Sequence, residues 1–175
     1  PVRFPEKRDF FLEGANIYQF APRSGVYPYF SRKIGLQSGS PVPILFGGRI
    51  IGKVGKIEVA AQQVKTRETS SLNSEDFSVI RLKQNFWKES SLGVLYTRRH
   101  TSKGNELKPP LPNRNTLGVD LTLNTSTFLK NQNLQFQAFA IFHNPNTLNE
   151  INNSIWDRSA RGIRINFPND PWSGS

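Results

Sequence analysis

Residues 115–125 read NTLGVDLTLNT. Leu117, Val119, Leu121 and Leu123 fall at every second position, with Gly118, Asp120, Thr122 and Asn124 between them. A period of two places the two sets on opposite faces of a β-strand, because successive Cβ atoms of an extended chain point to opposite sides. The same rule extends outward in both directions. Residues 76–86, DFSVIRLKQNF, alternate Ile80, Leu82 and Phe86 with Arg81, Lys83 and Asn85. Residues 133–143, NLQFQAFAIFH, set Leu134, Phe136, Ala138, Ala140 and Phe142 against Gln135 and Gln137. Residues 159–167 set Ile163, Ile165 and Phe167 against Gly162, Arg164 and Asn166. Segments 26–34, 48–54, 56–66 and 90–100 complete eight predicted strands, and no stretch carries the period of an amphipathic helix.

The connections alternate in length. Gly55, residues 87–89 and residues 126–132 make short links; residues 67–75, 101–114 (with Pro109, Pro110 and Pro112) and the Asn-rich 144–158 make long ones. In an up-and-down chain this gathers the long loops at one end and the tight turns at the other, as in a transmembrane β-barrel with short periplasmic turns and long outer loops. About ten residues per strand at roughly 3.3 Å each, tilted by about 45°, cover roughly 23 Å, close to the ~25 Å apolar band of such barrels. The alternative is a soluble β-sandwich or lipocalin-like barrel, whose strands alternate too. The expected fold is therefore all-β: an antiparallel, up-and-down transmembrane β-barrel of about eight strands over residues 26–175, preceded by a short periplasmic or plug segment, 1–25. Its polar face would form the lumen through Glu58, Arg81, Lys83, Arg99, Asp120 and Arg164. That cation excess predicts a preference for anionic or polar solutes.

Composition narrows the function classes. The 175 residues carry no cysteine and two histidines, His100 and His143, so a thiolate site is impossible and a His-rich metal centre has no spacing to support it. No cofactor is expected. The net charge is +10, but no run reaches five consecutive basic residues, so the excess is diffuse and nucleic acid is not the expected partner. A soluble basic β-domain binding nucleic acid stays as an alternative. No apolar run approaches 18 residues, which excludes a transmembrane helix. The chain opens at Pro1 and contains no methionine, which suggests a processed product or a piece of something longer.

Four segments in order carry a resemblance: PEKRDFFLEGA at 5–15, YFSRKIG at 29–35, GGRIIGKVGKIEVAAQQVKTRE at 47–68, and DFSVIRLKQNFWKESSLGVLYTRR at 76–99 with Val79–Arg81 and Ser90–Gly93. Together they resemble the barrel-like domain of unknown function that follows a family-9-type carbohydrate-binding module in large envelope proteins of Bacteroidetes-type bacteria. The resemblance covers residues 4–99 and continues beyond them in architecture alone. It implies an outer-membrane barrel, of which this chain would be the opening part. Its partners would be outer-membrane lipid, other envelope proteins, and a polysaccharide or oligosaccharide captured by a module absent here. It implies no catalytic residue.

The opening motif admits two readings. Glu6, Asp9 and Glu13 are the carboxylates a glycoside hydrolase would need, but that chemistry requires a separation of about 5–9 Å that sequence spacing does not fix. The structural reading pairs Glu6, Lys7, Arg8 and Asp9 with lumen charges such as Arg81 and Lys83, with Phe10, Phe11 and Leu12 as an apolar anchor and Glu13 closing the segment, since buried charge must be paired or hydrated. Gly47-Gly48 through Gly55 lacks the G-x-x-x-x-G-K-[ST] phosphate loop and suits a twisted strand and tight turn instead. Trp87, Trp156 and Trp172 sit at or beyond strand ends as candidate interfacial aromatics. Arg67, Arg98, Arg99, His100, Lys103, Lys108 and Arg114 lie on or beside the long loops, where they would meet solvent or glycolipid phosphates.

Overall fold

The computed structural model describes residues 6–22, 24–37, 40–70, 72–102, 111–145, 154–169 and 173–175. A four-residue helix α1 (Asp9–Leu12) and 3-10 turns at Ala15–Tyr18 and Ser31–Lys33 precede a two-stranded hairpin, β1 (Leu36–Gln37) and β2 (Ser40–Pro41). Then follow β3 (Ile44–Val54), β4 (Ile57–Thr66), β5 (Glu75–Phe86), β6 (Ser90–Thr101), β7 (Arg114–Phe128), β8 (Gln132–His143), β9 (Ser159–Pro168) and the short β10 (Ser173–Gly174). Strands β3 to β10 form one antiparallel sheet in sequence order, open at both edges among the described residues. The predicted strand at 26–34 does not form: a 3-10 turn occupies Ser31–Lys33 and Phe30 caps it in extended conformation. That stretch lacks strict alternation, and Gly35, at φ +77°, turns the chain immediately after it.

Register turns the sequence period into two faces. Ala60, Arg81, Leu95, Gly118, Ile141 and Ala160 form one row across β4 to β9. Val59, Leu82, Val94, Val119 and Ala140 form a row on the opposite face. The first face is covered by the segment before β3. Phe11 and Ile34 pack with Val64, while Tyr18, Phe20 and Ala21 pack with Ala60, Val79, Leu95 and Ile141. Burying each large side chain is worth about 1.5–3 kcal/mol, which offsets the ordering of a segment with little regular structure of its own.

The second face is bare. On β5, Ile80 and Leu82 are 44% and 46% exposed while Arg81 between them is 1% exposed. Ile50 on β3 and Ile163 on β9 are each 73% exposed, so the apolar surface runs across the width of the sheet. Aromatic pairs stand at both ends of it: Phe86–Trp87 and Phe128–Phe167 at the tight-turn end, Phe142–Trp156 at the other. Charged residues on this face gather near the long-loop end, where Asp76 lies beside Lys65 and His100 in the register. Among the described residues no helix is long and apolar enough to cross a membrane.

Candidate functional site

The covered face holds a buried ion pair. Arg81 on β5 reaches over β6 to Asp120 on β7, with Nη1–Oδ1 at 2.5 Å and Nη2–Oδ2 at 3.0 Å. Gly93 lies beneath the bridge, and a Cβ there would sit 2.5 Å from the guanidinium. Glycine at this inward position therefore leaves the slot in which the arginine lies. The bidentate geometry is the strong form of this contact, and desolvation makes either partner alone costly.

The same pair holds the N-terminal segment. The Ala21 N–H donates to Asp120 Oδ2 at 3.3 Å, and the Arg81 guanidinium stands 5.8 Å from the Phe20 ring centroid. Phe20 rests on Gly118, where a Cβ would come within 2.6 Å of the ring. Gln62 Nε2 donates to the Tyr29 hydroxyl at 3.0 Å. Burial pushes the Tyr18 phenol up to about 12, against the opposing charge of Arg49, and burial likewise raises Tyr29. Arg49 on β3 clamps the opening segment by donating to the Phe10 carbonyl, to the Glu13 carbonyl at 2.7 Å and to the Glu13 carboxylate.

PEKRD pairs with other residues than expected. Glu6 and Arg8 bind each other rather than Arg81 or Lys83. Arg8 Nε donates to Glu6 Oε1 at 3.0 Å and Nη2 to Oε2 at 2.9 Å, while Ser31 Oγ donates to Oε2 at 2.8 Å. Arg8 continues to the Ile34 and Ser31 carbonyls at 2.7 and 2.9 Å and lies 4.2 Å from the Phe11 ring centroid. The motif thus stitches itself to SRKI at 31–34, a local closure, while Arg81 is already paired with Asp120. These bonds, Arg8 foremost, lower the Glu6 pKa to about 2, against its partial burial. That direction is opposite to what a general acid requires. Lys7 and Asp9 flank the clasp, with Asp9 in the first turn of α1. Phe10 stacks edge-on against Phe11 at 5.0 Å.

The register places all six predicted lumen residues on the covered face. Glu58 stands opposite Lys83 and accepts from Asn85 Nδ2 at 2.6 Å. Arg99 lies opposite Arg114, with Nε 3.8 Å from the Glu75 carboxylate, and Arg164 lies opposite Gln137. Arg81 and Asp120 are brought together; the other four are spread along the face. Arg49, Gln62, Phe20, Gly93 and Gly118 were not legible as site residues. The available signal was glycine at inward mid-strand positions, which marks close approach. Among the described residues no group of three His, Asp or Glu converges as a metal site. Lys103, Lys108 and Trp172 lie outside the described residues. No family model matches the chain, nor does any curated protein or solved structure.

Proposed function

We propose that this chain is part of the wall of an outer-membrane β-barrel, with its bare face against lipid and its N-terminal segment as an internal plug. It would serve as a channel or envelope scaffold. The observation that carries this reading is the inverted sidedness of the sheet: the face bearing Arg81 and Asp120 is covered, while the face bearing Ile50, Leu82 and Ile163 is bare. Contiguous apolar surface of this extent marks a membrane or protein interface, and aromatic pairs at both ends are what a lipid-facing band carries at its two interfaces.

Two further points set what such a barrel requires. An open edge such as β3 cannot face hydrocarbon with its backbone unpaired, so a barrel needs more strands or closure. An eight-stranded barrel has an interior just wide enough for side chains. A plug containing α1 and two 3-10 turns needs a wider one, so the eight strands here would belong to a larger barrel. Glu6 is disfavoured as the general acid of a hydrolase by its lowered pKa. The test is extraction and gel migration. The full chain should require detergent and migrate differently before and after boiling; a monomer that stays soluble without detergent would remove the reading.

A further inference from the structure

The plug covers the sheet unevenly. Its buried contacts fall on β4 to β8, at Val64, Ala60, Val79, Leu95 and Ile141. Beyond Pro22 a cleft opens on the β7–β9 side. Its wall is a grid of two rows, Thr122–Gln137–Arg164 and Asn124–Gln135–Asn166, each running across three strands. Neighbours in a row are about 4.8 Å apart and the rows about 6.7 Å apart, from strand geometry. Asn166 Nδ2 donates to Gln135 Oε1 at 3.1 Å, which fixes the orientation of that pair. The cleft has a volume of about 140 Å³. A second, of about 280 Å³, shares Gln137 and Arg164 and reaches Ser24 and Phe139. The Phe139 ring lies over Gly162, where a Cβ would meet it at 2.7 Å.

We propose that this wall binds a ring-shaped, hydroxylated carboxylate such as a uronic acid. The inference rests on the barrel reading and names the solute class of the passage left beside the plug. Carboxamides both donate and accept, as vicinal hydroxyls do. Arg164 is the single charged member of the grid, and its planar fork suits a carboxylate. Phe139 offers an apolar surface to the C–H face of a ring.

The experiment titrates the purified full chain in detergent with glucuronate, using glucose and acetate as references, and checks heat-dependent gel migration in the same preparations. Glucuronate should bind saturably and at least about tenfold more tightly than either reference, the size of one good charge-assisted contact. Arg164→Gln should reduce glucuronate to the level of glucose, and Gln137→Leu should weaken both sugars, with migration unchanged. A heat-modifiable protein that does not bind glucuronate, binds acetate equally well, or is indifferent to Arg164→Gln overturns the proposal and leaves the barrel reading standing. A detergent-free, soluble protein overturns the barrel reading; glucuronate binding lost in Arg164→Gln would then still support the wall, and its absence would overturn that too.

Discussion

The two faces of this sheet invert the arrangement of a soluble β-domain. There, alternation resolves into an apolar face turned inward and a polar face left to water. Here Arg81 and Asp120 lie under a polypeptide cover, while Leu82 and Val119, one position away along β5 and β7, are uncovered. The glycines repeat the asymmetry. On the covered face Gly93 and Gly118 make room for a guanidinium and a ring; on the bare face a methyl group added at Gly48 or Gly52 would meet nothing within 4 Å. The difference teaches that alternation alone defines two faces, and that what covers each face decides which medium it belongs to.

The strongest way to break the comparison is to unbalance the covered face. Asp120→Ala leaves Arg81 buried without its partner and removes the acceptor for the Ala21 N–H. The expected loss is about 3–5 kcal/mol in denaturant titration. The double variant Arg81→Met, Asp120→Leu should recover much of it, because no uncompensated charge remains. An Asp120→Ala protein of unchanged stability would show that the pair is not desolvated.

Next comes the bare face. On the proposed barrel reading, Val119→Arg should cost about 2–4 kcal/mol when folding is measured in bilayers, the penalty for a charge placed at mid-depth against lipid. Ser91→Arg, on the opposite face, should cost under about 1 kcal/mol, within the range of ordinary partly exposed substitutions. Equal costs at the two positions would erase the distinction between the faces.

A smaller contrast uses the glycines. Gly118→Ala forces Phe20 off its seat and should cost about 1–3 kcal/mol, with faster hydrogen exchange at the Ala21 amide. Gly52→Ala should be neutral or stabilising by up to about 1 kcal/mol, since it restricts the unfolded chain and meets nothing when folded.

Strands β5, β7, β8 and β9 were legible because each alternates clearly; β4 and β6 follow the rule more loosely, and the six charges of the covered face share the same parity. Two things were not. The 26–34 segment contains Val26, Tyr29, Phe30 and Ile34 and looks strand-like in composition, yet Tyr29 and Ile34 are spent on packing against the sheet rather than in it. The pairing of charges was also hidden, since parity says which face a residue occupies and nothing about reach. Arg81 finds Asp120 only because the intervening strand carries glycine at position 93. Glu6 finds Arg8 and Ser31 because the chain folds back within 25 residues.

That local clasp gives the smallest effect. Its bonds, led by Arg8, hold the Glu6 carboxyl at about 2 against an ordinary 4.5. A depressed carboxyl pKa stabilises the folded state above the unfolded value and loses that contribution as pH falls from about 4.5 toward 2. Arg8 is 37% exposed, so screening leaves on the order of 1 kcal/mol. Glu6→Gln should remove this slope from the stability-versus-pH curve in that window and leave the curve above pH 6 parallel to that of the parent. The readout should be protease cleavage of the N-terminal segment rather than global unfolding, because the hydrogen bonds of Glu6 to Lys7, Arg8 and Ser31 join that segment to itself. A variant that loses global stability equally at all pH values would mean that the clasp supports the sheet as well, and that the covered face depends on its cover more than the pairing of Arg81 with Asp120 implies.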